Sequence, residues 1–109
     1  MQLIRLEAST VPGVRIFRNN VGLFYTRAGT PIRCGLFKGS SDQVGWRTVT
    51  ITPAMVGRDV AVFVGLEVKG ERGVVEPDQQ HWIDRVRAAG GIAGAAWSPS
   101  QAKEILRGF

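Results

Sequence analysis

The chain has 109 residues, of which 44% are hydrophobic and 21% are charged, so its composition is typical of a globular protein with one domain, spanning residues 1–109. Its longest apolar run is about half the length of a membrane span, which excludes an ordinary transmembrane helix and a membrane partner. The formal net charge of +5 favours a polyanionic partner, although charge alone does not show that this partner is a nucleic acid.

The single cysteine and the N-terminal segment indicate the compartment. Cys34 cannot form an intramolecular disulfide, which is typical of proteins in a reducing environment, and we predict that it is a thiol in or near the core. Residues 1–7 lack the apolar stretch of a secretory signal peptide. We therefore expect the protein to act in the cytoplasm.

The first half of the chain predicts one short helix followed by strands. The helix covers residues 2–9, and the turn-forming residues 19–22 follow the first strand. Strands are predicted at residues 14–18, 23–27 and 32–37, with a strand or extended connector at 47–52. The strongest strand prediction is residues 60–69, which are apolar on both faces, as is typical of a buried central strand.

The second half of the chain predicts two helices separated by a strand. Pro77 suits the first turn of a helix that ends at the glycines of positions 90 and 91. Residues 92–97 form a short apolar strand, and Ser98 with Gln101 predicts the capping box of a last helix. The predicted class is α/β, with a mixed sheet flanked by helices in the order α-β-β-β-α-β-α.

Two charged residues stand at the end of the strongest strand. Glu67 and Lys69 are two positions apart, so both side chains point to the same face, with Cα atoms about 6.5–7 Å apart. A carboxylate in such a place stays ionised when a cation, a metal ion or several donors lie nearby. Two interpretations remain open, namely an ion pair on an exposed strand end and a metal site.

Asp42 and Gln79 bear on that choice. Asp42 follows a Gly-Ser-Ser turn that could direct its carboxylate inward, although this sequence is also ordinary loop chemistry. Gln79 falls on the apolar stripe of the helix that begins near Pro77, and a buried amide needs hydrogen-bond partners. Its amide could satisfy backbone groups in the following loop, or it could reach the strand end that carries Glu67.

The order and spacing of these segments resemble the virus-type replication-repair nuclease (VRR-NUC) branch of the PD-(D/E)XK nucleases. The matching segments are residues 17–20, 39–42, 65–69, 78–83 and 90–94. The resemblance covers most of the chain, and the short length is similar to that of stand-alone phage-encoded members. It implies a restriction-endonuclease-like core.

The resemblance also implies a metal site and roles for its residues. Asp42 and Glu67 would be metal-binding carboxylates, the Val68 carbonyl a further ligand, and Glu7 the candidate for the acidic residue on the first helix. Oxygen ligands of this kind suit Mg²⁺ or Mn²⁺. Lys69 would orient the attacking water or stabilise charge on the phosphate, and Gln79 would position the substrate or the site.

The implied activity is a DNA endonuclease, and the implied assembly is a homodimer that resolves four-way (Holliday) junctions during phage replication or repair. Two symmetric cuts require two-fold protein symmetry. The chain would then work in the cytoplasm of a bacterial host. The candidates for DNA binding are Arg18, Asn19, Asn20, Lys38, Ser41, Arg47 and Arg72.

Three other functions remain open at this point. A non-catalytic module that binds nucleic acid would share the basic charge, but it would have no use for the carboxylates and the lysine. A small phage protein that binds a host protein would be indifferent to DNA. A metal-dependent hydrolase of nucleotides could share the core.

Overall fold

The computed structural model describes residues 2–108, without the side chain of Gln2. It divides into two compact units, which we call the N-terminal unit (Met1–Val49) and the C-terminal unit (Thr50–Phe109). Each unit is described by itself. The single domain over residues 1–109 stays a prediction.

The N-terminal unit contains one helix and two antiparallel strand pairs. The helix α1 covers Gln2–Ala8 and is followed by β1 (Val14–Arg18), which pairs with β4 (Gln43–Arg47). Between them, β2 (Gly22–Tyr25) and β3 (Pro31–Cys34) form a hairpin. The helix and the first three strands lie close to their predicted positions.

The strand β4 lies earlier in the chain than predicted, because residues 48–52 belong to no strand. Its position follows from pairing with β1, in which Phe17 faces Val44. The rings of Phe17 and Trp46 also pack, with centroids 5.5 Å apart. Gly45 makes this segment a poor strand by local preference, so the long-range pairing decides its structure.

The C-terminal unit has a β-α-β-α order after a short 3₁₀ helix (Pro53–Met55). The strands β5 (Val64–Val68) and β6 (Ile92–Ala96) pair in parallel, with α2 (Pro77–Ala88) between them and α3 (Pro99–Leu106) after them. The buried core of the described residues consists of Ile83, Val86, Ala93 and Ala96. Small residues on β6 allow close helix packing, since a Cβ on Gly94 would lie 3.0 Å from Ile105 Cδ1.

The sheets are smaller than the predicted mixed sheet. Within residues 2–108 the strands form three two-stranded sheets, two antiparallel and one parallel, so the mixed α/β character is confirmed but a single sheet is not seen. The strand β5 is shorter than predicted and is not buried on both faces, because Val64 is 44% and Val68 74% exposed. Its described strand neighbour is β6 alone.

Two further predictions concern Cys34 and membranes. Cys34 is exposed rather than in the core, because every residue of β3 is exposed. In the described part of the chain, we find no helix with the length and apolarity needed to cross a membrane.

Candidate active site

Glu67 and Lys69 lie together at the C-terminal end of β5. The Lys69 N–H donates to the Ala96 carbonyl over 2.9 Å, so the parallel ladder continues one residue past the strand. Both side chains therefore point the same way, and Lys69 Nζ lies 3.5 Å from Glu67 Oε1. The Lys69 side chain is 13% exposed and the Glu67 side chain 34%, so the lysine is nearly enclosed and the carboxylate is reachable from solvent.

Gln79 joins the two charges from the first turn of α2. Its Nε2 donates to Glu67 Oε1 over 2.9 Å, and its Oε1 accepts from Lys69 Nζ over 2.7 Å. We call these three residues the Glu67–Lys69–Gln79 triad. A partly exposed ion pair contributes only about 0–1 kcal/mol, so the value of this arrangement lies in fixed geometry more than in stability.

Gln79 also caps α2, so its amide meets a backbone group at the start of the helix and not in the following loop, where one interpretation had placed it. Its Oε1 accepts the Glu76 N–H over 3.0 Å, which satisfies a backbone donor at the start of the helix. Glu76 occupies the cap position, where serine or threonine is usual. With Gln79 at the third helical position it forms a capping box, in which the Gln79 side chain accepts the Glu76 backbone N–H.

A tight turn after Lys69 packs against its aliphatic stem. The Gly73 N–H donates to the Gly70 carbonyl over 2.8 Å, and the Trp97 indole Nε1–H donates to the Gly73 carbonyl over 2.8 Å. A Cβ on Gly73 would lie 3.1 Å from Lys69 Cβ and 3.2 Å from Lys69 Cδ. Trp97 thus holds the turn at the point where a side chain at position 73 would crowd the lysine.

The variant Trp97→Phe should lower the free energy of unfolding by about 1 kcal/mol, because it keeps most of the ring and removes the hydrogen bond to the turn. Urea denaturation followed by circular dichroism measures this change. Arg72→Ala, in the same turn and exposed, serves as the control and should leave stability unchanged. Equal midpoints for Trp97→Phe and the wild type would show that the indole does not hold the turn.

Asp42 lies exposed in the N-terminal unit, after a loop that Asn19 holds. Asn19 Nδ2 donates to Ser40 Oγ and to the Ser41 carbonyl, both over 2.8 Å, and its Oδ1 accepts from Leu36 N over 3.1 Å. The Asn19 N–H also donates to the Asp42 carbonyl over 2.8 Å. The predicted role of Asn19 in DNA binding stays a prediction, and its observed contacts make it a support of this loop.

The Glu67 carboxylate is the oxygen donor of the triad that suits a divalent metal ion. Both the Gln79 amide and the Lys69 ammonium approach its Oε1. The role of the Val68 carbonyl as a further ligand stays a prediction. Within residues 2–108 no three His, Cys, Asp or Glu residues form a metal-binding group. Glu7 is exposed on α1, and its role as a ligand stays a prediction, as does that of Asp42.

The net positive charge comes from one unit. The N-terminal unit has seven Lys and Arg residues and two acidic residues, whereas the C-terminal unit has seven of each. The whole net charge of +5 therefore lies in residues 1–49. The exposed candidates for DNA binding, all in the N-terminal unit except the last, are Arg18, Asn20, Lys38, Ser41, Arg47 and Arg72.

The mixed α/β fold thus joins a carboxylate, a lysine and a glutamine at the end of one strand. The family model of the VRR-NUC domain matches residues 31–98, which is more than half of the chain. The chain therefore belongs to the VRR-NUC family, and this membership implies a nuclease-type function with DNA as the substrate. No match was found among curated proteins or among solved structures.

The matched range includes Asp42 and the whole triad. Glu7, Arg18, Asn19 and Asn20 lie before it, so the family match does not bear on them. Nucleases of this type typically depend on a divalent metal.

Proposed function

We propose that the protein is a metal-dependent endonuclease that hydrolyses phosphodiester bonds in branched DNA, with four-way junctions or related replication and repair intermediates as its substrates. The observation that carries the proposal is the triad, in which Gln79 lies 2.7 Å from Lys69 Nζ and 2.9 Å from Glu67 Oε1 within a chain of the VRR-NUC family. The proposed place of action is the cytoplasm of a bacterial host.

The triad residues have distinct roles in this reaction. Lys69 places its ammonium beside the Glu67 carboxylate, where it stabilises negative charge on the scissile phosphate or orients the attacking water. Gln79 fixes that ammonium through Oε1 and the Glu67 carboxylate through Nε2. Because both contacts exist before substrate arrives, the side chains need little rearrangement during the reaction.

Glu67 and the Val68 carbonyl would hold Mg²⁺ or Mn²⁺, with Asp42 as the second carboxylate that the family resemblance implies. When bound, the metal polarises a phosphoryl oxygen and lowers the pKa of its bound water. The protein's part is to supply Glu67 as an oxygen donor, held in place by Gln79 with the Lys69 ammonium 3.5 Å away.

The charge of the N-terminal unit supports DNA as the partner. Seven Lys and Arg residues against two acidic residues attract the phosphate backbone, so binding should weaken steeply as salt rises. For a junction, two cuts at symmetric positions require a second active site related by a two-fold axis. A homodimer is therefore part of the proposal.

The test is cleavage of labelled four-way junction, flap, duplex and single-stranded DNA in Mg²⁺, Mn²⁺ or EDTA. We expect cleavage with either metal, none in EDTA, and paired symmetric cuts in the junction. Lys69→Ala, purified in the same way, should lose activity by about 100-fold or more, which excludes a contaminating nuclease.

Two outcomes would contradict parts of the proposal. Tight DNA binding without cleavage under any metal would favour a non-catalytic binding module. A monomer in solution that cuts duplex DNA and leaves junctions intact would remove the junction and the homodimer, while the nuclease activity would stand.

A further inference from the structure

A groove in the N-terminal unit lies between the β2–β3 hairpin and the turn that follows it. Its volume is about 570 Å³, and its apolar lining includes Val21, Leu23, Leu36 and Phe37. The Phe37 side chain is 72% exposed, so the ring is available to a ligand. A volume of this size falls within the range of sites that bind small molecules or single nucleotides.

The polar part of the lining is basic. Arg33 and Lys38 both line the groove, and its lining among residues 2–108 contains no acidic residue. The surrounding unit carries the whole net charge of the chain. An aromatic ring beside two cations matches a ligand that combines a flat apolar face with negative charge, which is the chemistry of a nucleotide with its phosphate.

The turn that carries Phe37 and Lys38 is fixed by its own hydrogen bonds. Ser40 Oγ donates to the Phe37 carbonyl over 2.7 Å, and Asn19 Oδ1 accepts the Leu36 N–H over 3.1 Å. Gly35 begins the turn with φ of +81°, and a Cβ there would lie 2.7 Å from the Asn20 carbonyl oxygen. The backbone under the aromatic ring is therefore held before a ligand binds, which lowers the entropy cost of binding.

We propose that this groove binds an unstacked nucleotide in a single-stranded segment of the DNA substrate, with Phe37 against the base and Arg33 and Lys38 on the flanking phosphates. The proposal rests on the function proposed above and extends it, because it explains how the enzyme recognises branched DNA that carries a single-stranded segment. Flaps and gapped repair intermediates expose unpaired bases, whereas the bases of a duplex, including those in the arms of an intact four-way junction, are paired and stacked and gain nothing from Phe37.

The same observations speak against a second copy of the chain as the occupant. An isologous contact through this groove would bring Arg33 and Lys38 of both chains together, and like charges repel. A polyanion with exposed bases instead complements both the charge and the apolar lining.

The test is fluorescence anisotropy with labelled oligothymidine and with a duplex of the same length, both in EDTA so that no cleavage occurs. Phe37→Ala should weaken binding to the single strand about tenfold and change duplex binding by less than about twofold. Phe37→Trp should restore single-strand binding, since it returns a stacking surface. Phe24→Ala, which removes another exposed phenylalanine of the same hairpin outside the groove, should match the wild type.

Arg33→Gln provides a second measurement. It should weaken binding to both the single strand and the duplex, and reduce the slope of log affinity against log salt concentration by about one. An unchanged slope would show that Arg33 makes no phosphate contact.

Three results would overturn the proposal. The first is an equal loss of single-strand and duplex binding in Phe37→Ala, and the second is no loss of either. The third is a change of the oligomeric state of Phe37→Ala in sedimentation, which would make the groove a contact between copies. Because binding is measured without metal, a wild type that fails to cleave in Mg²⁺ or Mn²⁺ would contradict the nuclease and not the groove.

Discussion

The variant Glu67→Gln should lose about 100- to 1,000-fold of the metal-dependent cleavage rate while its affinity for DNA changes by less than about twofold. Glutamine has nearly the same volume, so the fold should persist. The variant loses the negative charge that faces Lys69 Nζ at 3.5 Å and the anionic oxygen available to a metal. The measurements are single-turnover cleavage of a junction in Mg²⁺ and anisotropy binding in EDTA.

Glu71→Gln is the matched control for this loss. Glu71 is exposed in the turn that follows Lys69, so the same chemical change there should leave the cleavage rate near that of the wild type. If Glu67→Gln cleaved as fast as Glu71→Gln, the carboxylate at the end of β5 would have no part in the reaction. Equal losses in both variants would point to a general effect of charge.

Substitution of Gln79 should separate its role in the site from its role in the helix. In the wild type, Gln79 Nε2 donates to Glu67 Oε1 over 2.9 Å. In Gln79→Glu, a carboxylate oxygen takes the place of this nitrogen and faces the Glu67 carboxylate. The repulsion should displace Glu67 and lower kcat by about 10- to 100-fold. The acceptor for the Glu76 N–H remains, so stability should change little.

Gln79→Leu removes both functions at once. It should show a similar loss of kcat and, in addition, a loss of about 0.5–2 kcal/mol in the free energy of unfolding, because the Glu76 N–H loses its acceptor. Time courses of DNA cleavage and urea denaturation measure the two effects. Gln80→Leu, on the adjacent exposed position, should leave the cleavage rate unchanged. If both Gln79 variants kept the kcat of the wild type, Gln79 would have no part in the reaction.

The C-terminal unit was largely predictable because its signals are local. Pro77 begins α2, Ser98 accepts the Gln101 N–H at the start of α3, and the predicted strand at residues 60–69 contains β5. The two-residue spacing of Glu67 and Lys69 was enough to place their side chains together, and the 3.5 Å separation confirms it. The helical position of Gln79 left two partners open, and the amide reaches Glu67, whereas its backbone partner is the Glu76 N–H before the helix and not the following loop.

The sequence did not reveal the features that depend on distant residues. The strand β4 is fixed by its pairing with β1, and the turn beside Lys69 is held by Trp97, which lies 24 residues after Gly73. Asn19 was predicted to contact DNA, whereas the contacts that fix the loop before Asp42 involve residues 17 to 23 positions away. A visible signal was overlooked for Gln79, since glutamine at the third helical position is a known capping residue.

The double role of Gln79 makes the Glu76 amide proton a reporter of the triad. That proton is hydrogen-bonded to Gln79 Oε1, which also accepts from Lys69 Nζ. A change that moves Gln79 away from Lys69 therefore also weakens its hydrogen bond to the Glu76 amide. Its rate of exchange with deuterium, or its NMR chemical shift, therefore registers changes at the end of β5 without a label in the site. Occupancy of the site could be followed in this way on an intact enzyme with uncleaved DNA.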